Sequence, residues 1–129
     1  MRLLLDTHAL LWVFTDPRQI PPHVRTLIAD VRNSVSYSAV TILEIAMGRA
    51  AGRRGAPKLN AEDANKLARG AGYELVSITD AHAAAVETIA PHHPDPFDKL
   101  LLAQAQIEGL QLVTHDATLA QYDSRTILF

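Results

Sequence analysis

The chain contains no cysteine, which excludes disulfides and thiolate metal sites and makes a reducing compartment the natural setting. Aromatic residues are also scarce. At 5% of 129 residues they give base stacking no prominent part in gripping nucleic acid, and Leu11, Trp12 and Phe14 read better as core or dimer contacts. The six glycines form no phosphate-cradling loop, since nothing reads GxxxxGK or GxGxxG. No apolar run approaches the roughly 20 residues that span a bilayer, so no membrane association is expected. The opening MRLLLDTHALLWVF has the arginine and leucines of a signal peptide. Asp6 and His8 interrupt it, however, and no small-residue cleavage site follows. It is therefore read as mature protein, with a cytoplasmic location expected.

Strong charge of one sign is missing as well. Twelve Lys and Arg against fourteen Asp and Glu leave a formal charge of −2, whereas a general nucleic-acid binder is usually basic. The cations are unevenly spread. Arg49, Arg53, Arg54, Lys58, Lys66 and Arg69 place half of them between residues 49 and 69, where a polyanion would meet the chain first. Arg49, Arg53, Arg54 and Lys58 are the candidate contacts, and a solvated loop explains the same cluster equally well.

Hydrophobic residues make up 48% of the chain and charged residues 20%, which predicts one globular domain over residues 1–129. Repeats, low-complexity tracts and linkers are lacking. Short apolar runs at Arg2–Leu5, Val35–Tyr37, Glu74–Ile78, Gln111–Thr114 and Thr126–Phe129 predict strands. Between them the spacing predicts helices over 8–14, 21–32, 38–48, 60–70, 81–89, 97–108 and 117–122, with Asn60 as an N-cap and Gly109 as a stop. Alternation of this kind predicts a parallel sheet covered on both faces, with strands apolar throughout.

In such a sheet ligands bind beyond the carboxyl ends of the strands. Asp6 follows the first strand, and Asp116 follows the fourth by two residues. Glu44 is the only charge in Ala39–Met47 and shares a helix face with Val40 and Met47. Asp98 sits three, four and seven residues before Leu101, Leu102 and Ala105, on an apolar stripe. Each has a plainer reading: Asp6 and Asp116 as helix caps, and Glu44 as a carboxylate at the rim of a core helix. In HHPDPFDKLL, Asp95 as N-cap puts Pro96 at N1 and Asp98 at N3. Capping then explains Asp95, and the helix dipole at N3 gives Asp98 the same plainer reading; its place on the apolar stripe makes Asp98 the candidate for chemistry.

Four acids at one edge repel one another by roughly 4 kcal/mol per pair at about 4 Å and an effective dielectric near 20. A hard cation such as Mg²⁺ or Mn²⁺ removes that cost, and it suits metal-assisted attack of water on phosphorus. His92 and His93 are adjacent and have no further ligand at helical spacing, so a polar loop is expected there rather than zinc.

Taken together, LLLDTHALLW at 3–12, SAVTILEIAMG at 38–48 and DPFDKLLLAQAQIEGLQLVTHD at 95–116 resemble the PIN-domain family, in particular its VapC-type ribonuclease toxins. The resemblance covers essentially the whole chain. It implies a three-layer α/β/α sandwich with a short, mainly parallel five-stranded sheet. It also implies an Mg²⁺- or Mn²⁺-dependent endoribonuclease site at Asp6, Glu44, Asp98 and Asp116. Thr7 and Thr114 match supporting hydroxyl positions, and Asp95 is left open as a further support. RNA as substrate, a cognate antitoxin and a homodimer are the partners implied. Two alternatives stand beside this. One is a non-catalytic RNA- or protein-binding module whose acids are caps. The other is a haloacid-dehalogenase-like phosphohydrolase, weakened because His8 stands where that pattern needs a second acid.

Overall fold

The computed structural model describes residues 1–52, 55 and 57–129, so Arg53 and Arg54 of the basic loop lie outside the described residues. Five strands, β1 (Arg2–Leu5), β2 (Ser34–Ser38), β3 (Glu74–Val76), β4 (Gln111–Thr114) and β5 (Ile127–Leu128), form one sheet in the order β3-β2-β1-β4-β5. Every pairing is parallel, with Leu3 beside Val35 and Leu4 beside Leu112 fixing the register at the centre. The helices are α1 (Thr7–Thr15), α2 (Pro22–Ala29), α3 (Ala39–Ala50), α4 (Ala61–Gly70), α5 (Asp80–Ala85), α6 (Pro96–Glu108) and α7 (Ala117–Ala120).

Successive strand side chains point to opposite faces, and β1 uses this to found two cores. Leu3 and Leu5 enter a cluster with Ala9 and Leu10 of α1, Val24 of α2 and Ala68 of α4. Leu4 enters the other, with Val40 of α3, Leu101, Leu102 and Ala105 of α6, and Leu119 of α7. Helices thus cover both faces of the central strands, giving the expected α/β/α layers. All three leucines are fully buried, each contributing on the order of 1.5–3 kcal/mol.

The expectation of uniformly apolar, doubly covered strands fails at two places. β3 is an edge strand whose Glu74 and Leu75 are exposed, because only β2 flanks it. In β2 the buried positions include Ser36 and Ser38. Ser38 is tolerated at 0% exposure because its Oγ donates to Gln104 Oε1 and accepts from the Val40 N–H, capping α3.

The helix expected over 81–89 stops as α5 at Ala85. Residues 86–88 tighten to hydrogen bonds three residues back, and Ala90 adopts φ +43°. Pro91 bars Ala90 from continuing a helix, since a proline disfavours the right-handed helical region for the residue before it, but it does not account for the earlier stop at Ala85. Gly109 stops α6 in the left-handed conformation at φ +67°, as expected. Among the described residues no helix is long and apolar enough to cross a membrane.

Candidate active site

β1 lies between β2 on one side and β4 on the other, so the chain reverses its direction of travel across the sheet at the β1–β4 pair. A crevice opens at the carboxyl ends of strands where the order reverses in this way. Asp6 stands at the end of β1, its N–H still bonded to Val113 O at 3.0 Å. It is also the N-cap of α1, accepting from the Ala9 N–H at 2.8 Å through Oδ1. Its other oxygen, Oδ2, accepts from the buried Thr114 hydroxyl at 2.5 Å. Capping and presentation at the crevice therefore occupy one side chain, and the two readings of Asp6 are compatible.

The same division recurs around the site. Glu44 Oε1 accepts from the Thr7 hydroxyl at 2.6 Å. Thr7 Oγ1 is also 3.2 Å from Thr41 Oγ1, and because its one proton goes to Glu44, Thr41 donates to it. Asp98 Oδ2 lies 2.8 Å from His93 Nε2. Asp116 Oδ1 accepts from Thr118 N–H at 2.8 Å and Thr118 Oγ1 at 2.6 Å, capping α7. Asp116 N–H in turn donates to Thr114 Oγ1 at 3.0 Å, so one threonine hydroxyl links Asp6 to Asp116. Glu44, Asp98 and Asp116 each keep one oxygen that takes no hydrogen bond among the described residues.

Burial pushes the carboxyl of Asp6 above the usual carboxylate range, opposed by the hydrogen bonds from Thr114 and Ala9. Glu44 is raised first by burial, then by the charges of Asp95 and Asp98, while the Thr7 hydroxyl pulls the other way. Asp98 is raised by burial, and Asp95 and Asp116 add to this against the His93 hydrogen bond. Asp116, nearer to solvent, is lowered by its bonds to Thr118. The four acids thus act on one another electrostatically. Among the described residues, the salt bridges that reach them include no Lys or Arg, only His93 at Asp98.

The acids do not crowd together as the repulsion estimate assumed. Among the described residues, no three His, Asp or Glu side chains converge closely enough to hold one ion by themselves. Of the four, Glu44 alone borders a cavity of about 450 Å³, whose lining also includes Thr7, His8, Met47, Asp95 and Phe97. An all-oxygen set with free carboxylate oxygens suits Mg²⁺, which keeps several waters and takes only one or two carboxylates.

Glu44 departs from expectation in its surroundings. Val40 lies in the core but Met47 is 47% exposed, so the face they share runs from the core out to the cavity, where Glu44 stands. Asp95 is the N-cap of α6, accepting from the Phe97 N–H at 2.9 Å, and Pro96 and Asp98 take the places that capping assigns. Arg49 and Lys58 are exposed, and Arg49 Nη1 donates to Pro57 O at 2.5 Å. The Arg53 and Arg54 contacts fall outside the described residues.

His93 is the main correction. The pair His92-His93 was expected in a polar loop; His92 is exposed, but His93 is buried and bonded to Asp98. Prolines at 91 and 94 bracket the pair and were the available signal, since they restrict the backbone on either side. Thr41 and His8 were also missed. His8 borders the cavity, close enough to Asp6 and Glu44 that its imidazolium form would favour both carboxylates.

No curated protein matches the chain. Its fold is similar to that of a chain in VapBC2 from Rickettsia felis bound to a promoter DNA fragment, at 14% identity and TM-score 0.67, covering 100% of this chain and 98% of that one. A toxin–antitoxin complex from Klebsiella pneumoniae is similar at 20% identity and TM-score 0.66, covering 97% and 95%. So is VapBC-5, of the VapBC toxin–antitoxin family, from Mycobacterium tuberculosis, at 19% identity and TM-score 0.61, covering 99% and 98%. Likeness at these identities concerns the fold. The family is carried by the sequence itself, whose residues 3–124 match the PIN domain, and the chain belongs to the PIN domain family.

Proposed function

We propose that the chain is a Mg²⁺- or Mn²⁺-dependent endoribonuclease and the toxin of a toxin–antitoxin pair. One observation carries the reading: partly or wholly buried carboxylates at the β1–β4 crevice are left without Lys or Arg partners among the described residues, and three keep a free oxygen. A buried, mutually repelling set of this kind is costly unless a cation joins it. Asp6, Glu44, Asp98 and Asp116 would hold the ion directly or through waters. When bound, the ion lowers the pKa of water and neutralises charge developing on the phosphate oxygens.

The chain's own groups do the positioning. Thr114 and the Ala9 N–H orient Asp6, while Thr7, backed by Thr41, orients Glu44. The cavity offers space for substrate beside Glu44. The test is cleavage of single-stranded RNA with Mn²⁺ by wild type, Asp6→Asn and Asp98→Asn. Loss of cleavage in both variants is expected, and equal activity in all three would trace it to a contaminant and overturn the assignment.

The toxin role is supported by the likeness of the fold to chains solved as toxin–antitoxin complexes. Growth arrest on expression, relieved by the product of the neighbouring gene, is the expected outcome. A homodimer is proposed on the family resemblance. A second reading, a non-catalytic binding module, draws on the capping roles of Asp6, Asp95 and Asp116. Calorimetric titration separates the two, because a module whose acids only cap helices takes up no Mn²⁺.

A further inference from the structure

Asp98 differs from the other three acids in what holds its bonded oxygen. Hydroxyls and backbone amides serve Asp6, Glu44 and Asp116, whereas an imidazole serves Asp98. The His93 ring is 8% exposed and stands edge-on to Tyr122, with centroids 5.9 Å apart and planes at 79°. The backbone that delivers it is strained. Ala90 has φ +43°, a conformation that costs an L-residue on the order of 1–2 kcal/mol, and its carbonyl accepts the His93 N–H at 2.9 Å. Such a conformation persists only where its surroundings over-determine it, and Ala90 is itself buried in the core cluster beneath α6.

With Asp98 ionised, the state in which it would bind a cation, it has no proton to offer, so the proton of this pair then lies on Nε2 and points at Asp98 Oδ2. That bond fixes the carboxylate plane and leaves Oδ1 without a hydrogen bond among the described residues. We propose that His93 is a positioning residue, pinning Oδ2 of Asp98 so that Oδ1 is presented to a divalent cation in the β1–β4 crevice. The inference rests on the metal-site reading above. It adds that a strained turn outside the acids, anchored at Ala90 and Tyr122, sets how tightly the site holds its ion.

Mn²⁺ affinity of the full chain, measured calorimetrically, tests this with His93→Gln and His93→Leu. The Gln amide nitrogen falls where Nε2 stands and restores a donor, whereas Leu fills similar space with none. Partners of ligating groups typically change metal affinity by about 10- to 100-fold, so His93→Leu should weaken Mn²⁺ binding by that factor while His93→Gln stays near wild type. Melting temperatures without metal are measured alongside, because a merely structural role would lower both variants' stability without separating their affinities. If His93→Leu does not fold, His93→Asn replaces it, its amide stopping one atom short of Asp98. Wild-type affinity in the donor-less variant, or equal weakening in both variants, overturns the positioning role alone. Absence of Mn²⁺ binding by the wild type overturns the metal site and this inference with it.

Discussion

Replacing Thr114 with Val exchanges one hydroxyl for a methyl group of nearly the same size at a position that is 0% exposed. The substitution opens no cavity, so its effect isolates two hydrogen bonds. Thr114 Oγ1 donates to Asp6 Oδ2 at 2.5 Å and accepts from the Asp116 N–H at 3.0 Å. A hydrogen bond to a charged group is worth about 1.5–3 kcal/mol and a neutral one about 0.5–1.5, so Thr114→Val should destabilise the metal-free protein by roughly 2–4.5 kcal/mol where Asp6 is ionised. The loss should depend on pH in a definite direction. Burial already holds the Asp6 carboxyl above its unfolded value, and Thr114 opposes that rise. A group raised in this way contributes stability that is fully present below the unfolded pKa and is lost as pH rises through the folded one. Removing Thr114 raises Asp6 further, which deepens that loss, so the difference between variant and wild type should widen with pH. Urea denaturation at about pH 4 and about pH 8, with midpoints compared at matched slopes, measures both effects. A difference that is equal at the two values would refute a bond between the Thr114 hydroxyl and an ionised Asp6.

Two further outcomes follow from the same contacts. Thr7→Val removes the hydroxyl 2.6 Å from Glu44 Oε1, which lets burial push Glu44 further up. If RNA cleavage needs Glu44 ionised, activity in the variant should fall more at low pH than at high pH, and parallel pH–rate profiles would contradict this. Asp95→Ala removes the α6 cap and should cost about 0.5–2 kcal/mol in denaturation, while Asp95→Asn keeps the cap and loses little. Both variants also remove the Asp95 charge, so Glu44 and Asp98 should titrate lower in each. A carboxyl titration that does not move would exclude that coupling.

Much of the molecule was legible because its signals are local. Asp95-Pro96 opened α6 and Gly109 closed it, as cap chemistry and a left-handed glycine require. The apolar run Arg2–Leu5 marked β1 as a buried strand, which it is at Leu3, Leu4 and Leu5. Strand ends also placed Asp6 and Asp116 on the correct edge. What was illegible lay in long-range polar contacts. His82 is fully buried, with Nε2 2.8 Å from Glu108 Oε1 and Nδ1 accepting the Thr79 N–H at 3.0 Å. Gln104, inside the apolar stripe of α6, is buried because Ser38 donates to it from β2. Periodicity treats such residues as misplaced, since it records polarity and not partners.

The sequence by itself determined the order and type of the helices and strands, several of their caps, and that Asp6 and Asp116 follow strand ends, though not every boundary: the helix expected over 81–89 ends at Ala85. Those features depend on the residue and its close neighbours. Only the tertiary structure decided which carboxylate oxygen is committed and which is free. The partner of Asp6 is 108 residues away and that of Glu44 37 away. His93 is five residues from Asp98, yet even that bond depends on the turn at Ala90, held by a core from distant elements. A carboxylate's availability is set by what donates to it, and in this fold the donors arrive through the sheet order and the packing of α3 and α6.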